Sequence, residues 1–251
     1  MCPFLFGVID TYVVLFILGI IIALIILIIY LIKKKKYIKN QIIDVLLIAS
    51  FSILIGFIFA ILFENLYELL ESPSSYKWTW GMTFLGGLLG GTLTFILFYL
   101  LYGRKRNIKI LDIMVIAPAC ICFAHALGRL GCFFDGCCYG KPTESWIGVK
   151  FPNLPTKVIP TQLIEMTFLI ILGIILLFLA FKKDFKYTFM IYLGGYGIFR
   201  FIIEFYRGDP RGGTFLSLYP SQWFSIVLIL FVPLLFIIIN KVVDKRSECE
   251  K

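Results

Sequence analysis

The chain has 251 residues, 60% hydrophobic and 17% aromatic, with 24 Lys and Arg against 15 Asp and Glu and a net charge of +9. A soluble domain is about 45–50% apolar; with a mean hydropathy of +0.95, this chain is no water-soluble fold, disordered or collagen-like chain, or small disulfide scaffold. Its basic residues flank long apolar runs, which points to membrane topology and away from nucleic acid.

About 20 apolar residues cross a bilayer core as a helix. Seven windows reach or approach that length: 12–32, 42–63, 82–101, 111–130, 162–181, 188–206 and 222–239. The first carries no charge and ends at Lys33-Lys34-Lys35-Lys36. It lacks a basic leader and a small-residue cleavage site, so it reads as a retained span and not a signal peptide. The expected fold is all-α: one polytopic domain over residues 1–251 with outside loops at 64–81 and 131–161.

The Lys and Arg tally sets the expected orientation. With the end of the first span cytoplasmic, that side holds Lys33, Lys34, Lys35, Lys36, Lys39, Arg104, Lys105, Arg106, Lys109, Lys182, Lys183, Lys186, Lys241, Lys245, Arg246 and Lys251. The outside holds only Lys77, Lys141, Lys150, Lys157, Arg207 and Arg211. The N-terminus is therefore expected outside and the C-terminus in the cytoplasm.

On this topology the unusual residues share one depth. Span three carries Gly86, Gly87, Gly90 and Gly91 in its outer half, at a small-xxx-small spacing that lets helices approach closely. Packing alone explains that run. His125 and Arg129 lie near the outer end of span four, Gln162 and Glu165 begin span five, Arg200 and Glu204 occupy span six, and Gln222 opens span seven. His125 with Arg129, and Arg200 with Glu204, are i, i+4 pairs on one helix face. Ionisable residues inside a membrane usually face the bundle interior. The charges of Arg129, Glu165, Arg200 and Glu204 cancel, so the four fit one cavity opening toward the outer leaflet. Two guanidinium forks suit phosphate, and a carboxylate can hold one in place. Structural ion pairing, or snorkelling of the outermost side chains, is the alternative role.

There are seven cysteines: Cys2, Cys120, Cys122, Cys132, Cys137, Cys138 and Cys249. Cys132, Cys137 and Cys138 fall in the second outside loop. With His125 their spacing is His-x6-Cys-x4-Cys-Cys, which is not a standard zinc pattern. A disulfide from Cys132 to Cys137 or Cys138 suits an oxidising face better, a vicinal Cys137–Cys138 bond being strained. A thiol–disulfide membrane enzyme is the competing class, although no C-x-x-C is present. No cofactor and no metal is expected.

The stretch Gly128-Arg129-Leu130-Gly131-Cys132-Phe133-Phe134-Asp135-Gly136-Cys137-Cys138-Tyr139-Gly140 resembles the signature of prolipoprotein diacylglyceryl transferases, G-R-x-x-N-F-x-N-x-E-x-x-G. Gly128, Arg129, Phe133 and Gly140 match it. Gly81 to Gly91, Pro160-Thr161-Gln162-Leu163-Ile164-Glu165, Gly197 to Arg207 and Ser221-Gln222 resemble family segments in the same order, and Tyr12 fits more weakly. The family's seven spans and outside N-terminus agree with the topology above.

The resemblance implies a bacterial plasma-membrane enzyme that moves diacylglyceryl from phosphatidylglycerol to the lipobox cysteine of a prolipoprotein signal peptide, releasing glycerol phosphate. Arg129 and Arg200 would hold the lipid phosphate, Glu204 would position Arg200, and Gly140 would let the loop backbone approach the headgroup. Gln162, Glu165, Tyr12, Gly86, Gly87, Arg207 and Gln222 would line the substrate site among membrane lipids. The chain departs from the pattern at Leu85 and Ile159, where the family carries histidines, and at Cys132, Asp135 and Cys137, where it carries Asn, Asn and Glu. The acceptor thiol must lose a proton, so His125, the one histidine of the chain, becomes the candidate base. A relative with another acceptor, and a non-enzymatic lipid-binding protein, are the remaining readings.

Overall fold

The computed structural model describes residues 4–5, 9–71, 73–74, 76–209 and 216–249. Cys2, Arg211 and Lys251 lie outside these residues. Two short strands, β1 (Phe4–Leu5) and β2 (Ile9–Asp10), pair antiparallel. Seven long helices follow: α1 (Thr11–Lys33), α2 (Lys39–Glu71), α3 (Phe84–Phe98), α4 (Ile110–Asp135), α5 (Thr161–Phe178), α6 (Thr188–Ile203) and α7 (Pro220–Cys249). Among the described residues seven helices, some with their flanking turns, are long and apolar enough to cross a membrane. The chain divides into two compact units, one of residues 1–30 and 113–251 and the other of residues 31–112.

In the smaller unit the glycine run has a packing explanation. A Cβ on Gly86 would lie 2.6 Å from the Phe59 carbonyl oxygen, and one on Gly56 would lie 3.1 Å from the Gly87 oxygen and 3.3 Å from the Gly91 Cα. Helices α2 and α3 thus meet backbone to backbone, the approach that small residues permit in lipid. Beyond their cores, Asn65 fixes the chain that leaves α2. Its amide donates to the Thr79 oxygen at 2.9 Å, and its own oxygen accepts from the Thr79 N–H at 2.9 Å.

The larger unit solves a different problem. Pro118 lies inside α4, and proline has no N–H to give the carbonyl four residues earlier. That carbonyl belongs to Met114. Thr188, at the start of α6, donates its hydroxyl to the Met114 oxygen at 3.4 Å and to the Val115 oxygen at 2.8 Å. A hydroxyl from a neighbouring helix thereby satisfies backbone that lipid cannot. Elsewhere in this unit, a Cβ on Gly19 would meet the Ala124 oxygen at 3.0 Å, and one on Gly173 would meet Cys122 at 3.1 Å. Helices α1 and α5 therefore both lie close against α4.

Two boundaries move from their expected places: the first outside loop was to begin at residue 64, but α2 continues to Glu71. The second outside loop was to begin at residue 131, but α4 continues to Asp135 and carries Cys132 in its last turn. The extra residues, Gly131-Cys132-Phe133-Phe134, are apolar enough to continue the helix. The stop comes at Gly136, whose φ of +79° is the left-handed conformation that ends helices.

Replacing Gly86 with Leu should drive α2 from α3 and destabilise the protein by about 1–3 kcal/mol. Thermal unfolding in detergent, followed by circular dichroism, checks this against a control substitution at the exposed Leu93.

Candidate active site

Three helices deliver the charged residues. Helix α4 brings His125 and Arg129, α5 brings Glu165, and α6 brings Arg200 with Glu204 in the turn that follows it. Their common partner is Glu165, whose side chain is 2% exposed. One carboxylate oxygen, Oε2, lies 3.0 Å from Arg129 Nε and 4.0 Å from Arg200 Nη1. The other, Oε1, accepts the Tyr196 hydroxyl at 2.9 Å and lies 3.7 Å from His125 Nε2. Glu204 sits 3.0 Å from Arg200 Nη2, closing the i, i+4 pair. The four charges thus lie together, joined through Glu165 and Arg200.

Some buried donors and acceptors remain unused. Arg200 Nη1, Gln162 Oε1 and Gln222 Nε2 find no hydrogen-bond partner among the described residues. An unsatisfied polar group at membrane depth is expensive, so such atoms suit a polar ligand arriving from outside the chain.

The other expected site residues take varied places. Tyr12 packs across Gly131, where a Cβ would meet its ring at 2.9 Å, within electrostatic reach of Arg129 and Cys132. Gln162, one turn before Glu165, donates its amide to the Cys137 carbonyl. Gln222 caps the start of α7, its oxygen accepting the Tyr219 N–H at 3.0 Å. Arg207 donates from Nε and Nη2 to Asp209, at 3.0 and 2.7 Å, and Asp209, with Cys138, holds it charged against its burial. Gly86 and Gly87 belong to the smaller unit and are accounted for by the packing of α2.

Gly140 differs from expectation in what it approaches. A Cβ there would lie 2.7 Å from the Ile159 oxygen and 2.8 Å from the Tyr206 oxygen. Gly140 N–H donates to Ile159 O at 2.8 Å, and Lys141 N–H to Tyr206 O at 2.8 Å. The missing side chain therefore allows three protein segments to cross, which ties the cysteine-bearing loop to the end of α6.

Cys132, Cys137 and Cys138 are free thiols, so neither proposed disulfide is formed here. Their Sγ atoms all lie within 4.8 Å of one another, and His125 is not part of the group. Hydrogen bonds from the Cys132 and Cys137 thiols, with help from Arg207 and Arg129, hold Cys138 well below the ordinary thiol range. Its own contacts with Cys132 and Cys138, with burial, push Cys137 upward.

Tyr196 and Thr161 were missed as site residues. Tyr196 is four residues before Arg200 on α6, so helical spacing alone puts it on the same face. Its ring also meets His125 edge to face, with centroids 5.3 Å apart. Thr161 donates its hydroxyl to the Cys138 carbonyl at 2.7 Å; nothing local in the sequence marks it.

The family profile described as prolipoprotein diacylglyceryl transferase matches residues 4–238. A Clostridium tetani protein named phosphatidylglycerol–prolipoprotein diacylglyceryl transferase is 31% identical over 205 residues, 79% of this chain and 80% of that one. Clostridium perfringens transferase 2 of the same name is 36% identical over 177 residues, covering 68% and 67%. A Francisella tularensis subsp. novicida relative is 31% identical over 209 residues, covering 79% and 75%. The chain belongs to the prolipoprotein diacylglyceryl transferase family.

Proposed function

We propose that this protein is a phosphatidylglycerol–prolipoprotein diacylglyceryl transferase of the bacterial plasma membrane. Its substrates are phosphatidylglycerol, drawn from the surrounding membrane lipids, and a prolipoprotein signal peptide bearing the lipobox cysteine. The acceptor sulfur attacks the glyceryl carbon next to the phosphodiester. A C–S bond forms, the C–O bond breaks, and glycerol phosphate leaves with the electron pair. The N-terminus lies outside and the site opens toward the outer leaflet, a reading that rests on the asymmetry of Lys and Arg between the loops.

The observation that carries this reading is the pair of guanidiniums on one carboxylate. Arg129 and Arg200 both face Glu165 Oε2, at 3.0 and 4.0 Å, so two planar donor forks are fixed close together at membrane depth. Arginine presents five donors and stays charged. After meeting Glu165 and Glu204, each retains N–H groups for a phosphodiester. Donors fixed in advance where charge develops favour the departing phosphate over the ground state. Glu204 and Tyr196 act as positioning residues, the first on Arg200 and the second on Glu165. His125 is the nearest imidazole to this centre and serves as the candidate base for the acceptor thiol.

Two outcomes test the reading. Purified protein, phosphatidylglycerol labelled in its diacylglyceryl part and a lipobox peptide should give a labelled peptide. Arg129→Ala should cut the rate about 10²–10³-fold, and Arg129→Lys should not restore it, because a point charge cannot replace the fork. Glycerol phosphate release without labelled peptide would move the acceptor elsewhere, and no turnover under either readout would sink the proposal in favour of binding or redox work.

Glu165→Gln leaves two neighbouring guanidiniums without their shared counter-charge. It should destabilise the folded protein by about 3–5 kcal/mol, the cost of breaking a buried ion pair from one side. Unfolding in detergent would read the loss. A variant as stable as the parent would show that Glu165 does not hold the arginines.

A further inference from the structure

The cysteine cluster is not absorbed by the phosphate site, and its construction is unusual. Cys132 lies in the last turn of α4, and its carbonyl accepts the N–H groups of both Gly136 and Cys137 at 3.1 Å. Gly136 at φ +79° and Cys138 at φ +61° fold the chain back on the helix end. The left-handed region costs a non-glycine residue about 1–2 kcal/mol, and such strain collects at functional sites. Helix α5 then pins the backbone, with Gln162 donating to the Cys137 carbonyl and Thr161 to the Cys138 carbonyl. The three Sγ atoms lie within 4.8 Å of one another, with Cys137 Sγ also donating to the Cys132 carbonyl at 3.7 Å.

We propose that Cys132, Cys137 and Cys138 bind a thiophilic divalent ion, Zn²⁺, through three thiolates and leave its fourth position for the acceptor thiol. Three thiolates at about 2.3 Å from tetrahedral zinc stand about 3.8 Å apart, so the cluster needs only a small contraction. A disulfide would use two of the sulfurs and strand the third. The three residues are each partly exposed, which gives the fourth ligand a way in. Three thiolates and one divalent ion carry a net charge of −1, and Arg207 and Arg129 are within electrostatic reach to balance it.

The role of the ion rests on the transferase reading. Cys132 lies three residues after Arg129 on α4, and Gln162 lies three before Glu165 on α5. The metal and phosphate sites therefore share the same two helices, one turn apart. An acceptor thiol that displaces water from zinc releases its proton to solvent and stays bound as thiolate. Its sulfur lone pair then forms the C–S bond as the C–O bond breaks and glycerol phosphate departs toward Arg129 and Arg200. Activation by the ion lowers the demand on His125 as base in a chain that carries Leu85 and Ile159 at the family's histidine positions.

The test is a Co²⁺ titration of the reduced, full-length chain in detergent, followed by Zn²⁺. The expected result is a sulfur-to-cobalt charge-transfer band with tetrahedral d–d bands, saturating at one ion per chain and displaced by zinc. Cys137→Ser and Cys138→Ser should each lose the bands, and Cys120→Ala, altered at a buried cysteine elsewhere on α4, should keep them. A lipobox peptide should shift the d–d bands, and its Cys→Ser counterpart should not. Stripping the metal should slow transfer about 10²-fold, with recovery on adding zinc. No charge-transfer band in the reduced wild-type chain, or bands that survive both serine variants, would overturn the site. Transfer indifferent to metal removal would overturn the role in thiol activation. A cobalt spectrum with its peptide shift but without lipid transfer would uphold the site while the transferase reading fails.

Discussion

A carboxylate buried at membrane depth can remain ionised only if its surroundings replace water, and Glu165 has that replacement on every side. Arg129, Arg200, the Tyr196 hydroxyl and His125 converge on its two oxygens. An ionisable residue near the bilayer centre costs about 2.5–3.5 kcal/mol on insertion scales, and two arginines with two glutamates multiply that burden. The arrangement persists because the charges compensate in pairs. Its compensation is local to three helices, so α4, α5 and α6 are fixed relative to one another by the same contacts that build the site.

The rest of the larger unit supports that junction. Thr188 restores the backbone partner that Pro118 takes from α4, which lets the helix bearing His125 and Arg129 pass through the bundle. At the opposite end, Gly140 admits the crossing of the Ile159 and Tyr206 strands of backbone. That crossing anchors the cysteine loop beside α6. Arg207 pairs with Gly140 through its backbone in the same region and with Asp209 through its side chain. Arg200 Nη1 and Gln162 Oε1, without hydrogen-bond partners among the described residues, are the atoms proposed to meet a lipid headgroup.

Much of this was legible in the residues. Apolar runs mark helices because lipid leaves the backbone no other partner, so all seven spans appear near their expected windows. The i, i+4 pairing of Arg200 with Glu204 follows from helical geometry alone, as does the placing of Tyr196 on that face. The hub was not legible in the same way. Period fixes which side chains share a face, but not which faces meet, and Glu165 acquires its partners only when α4 and α6 close on α5. The cysteine cluster was hidden for a second reason. Its spacing is irregular as a sequence pattern, and only the left-handed turns at Gly136 and Cys138 bring the three sulfurs together. Gly140 shows the reverse case: its need for no side chain was readable, whereas the surface it approaches was not.

Arg129 and Arg200 are proposed to act as one unit through Glu165 to hold a lipid phosphate. A double-mutant cycle on phosphatidylglycerol affinity tests it most directly, with wild type, Arg129→Gln, Arg200→Gln and the double variant compared in the same membrane mimic. Groups that share a partner and a ligand couple by about 0.5–3 kcal/mol. A coupling in that range is expected, with the second substitution costing much less than the first. Losses that simply add, or an affinity that neither substitution changes, would contradict it.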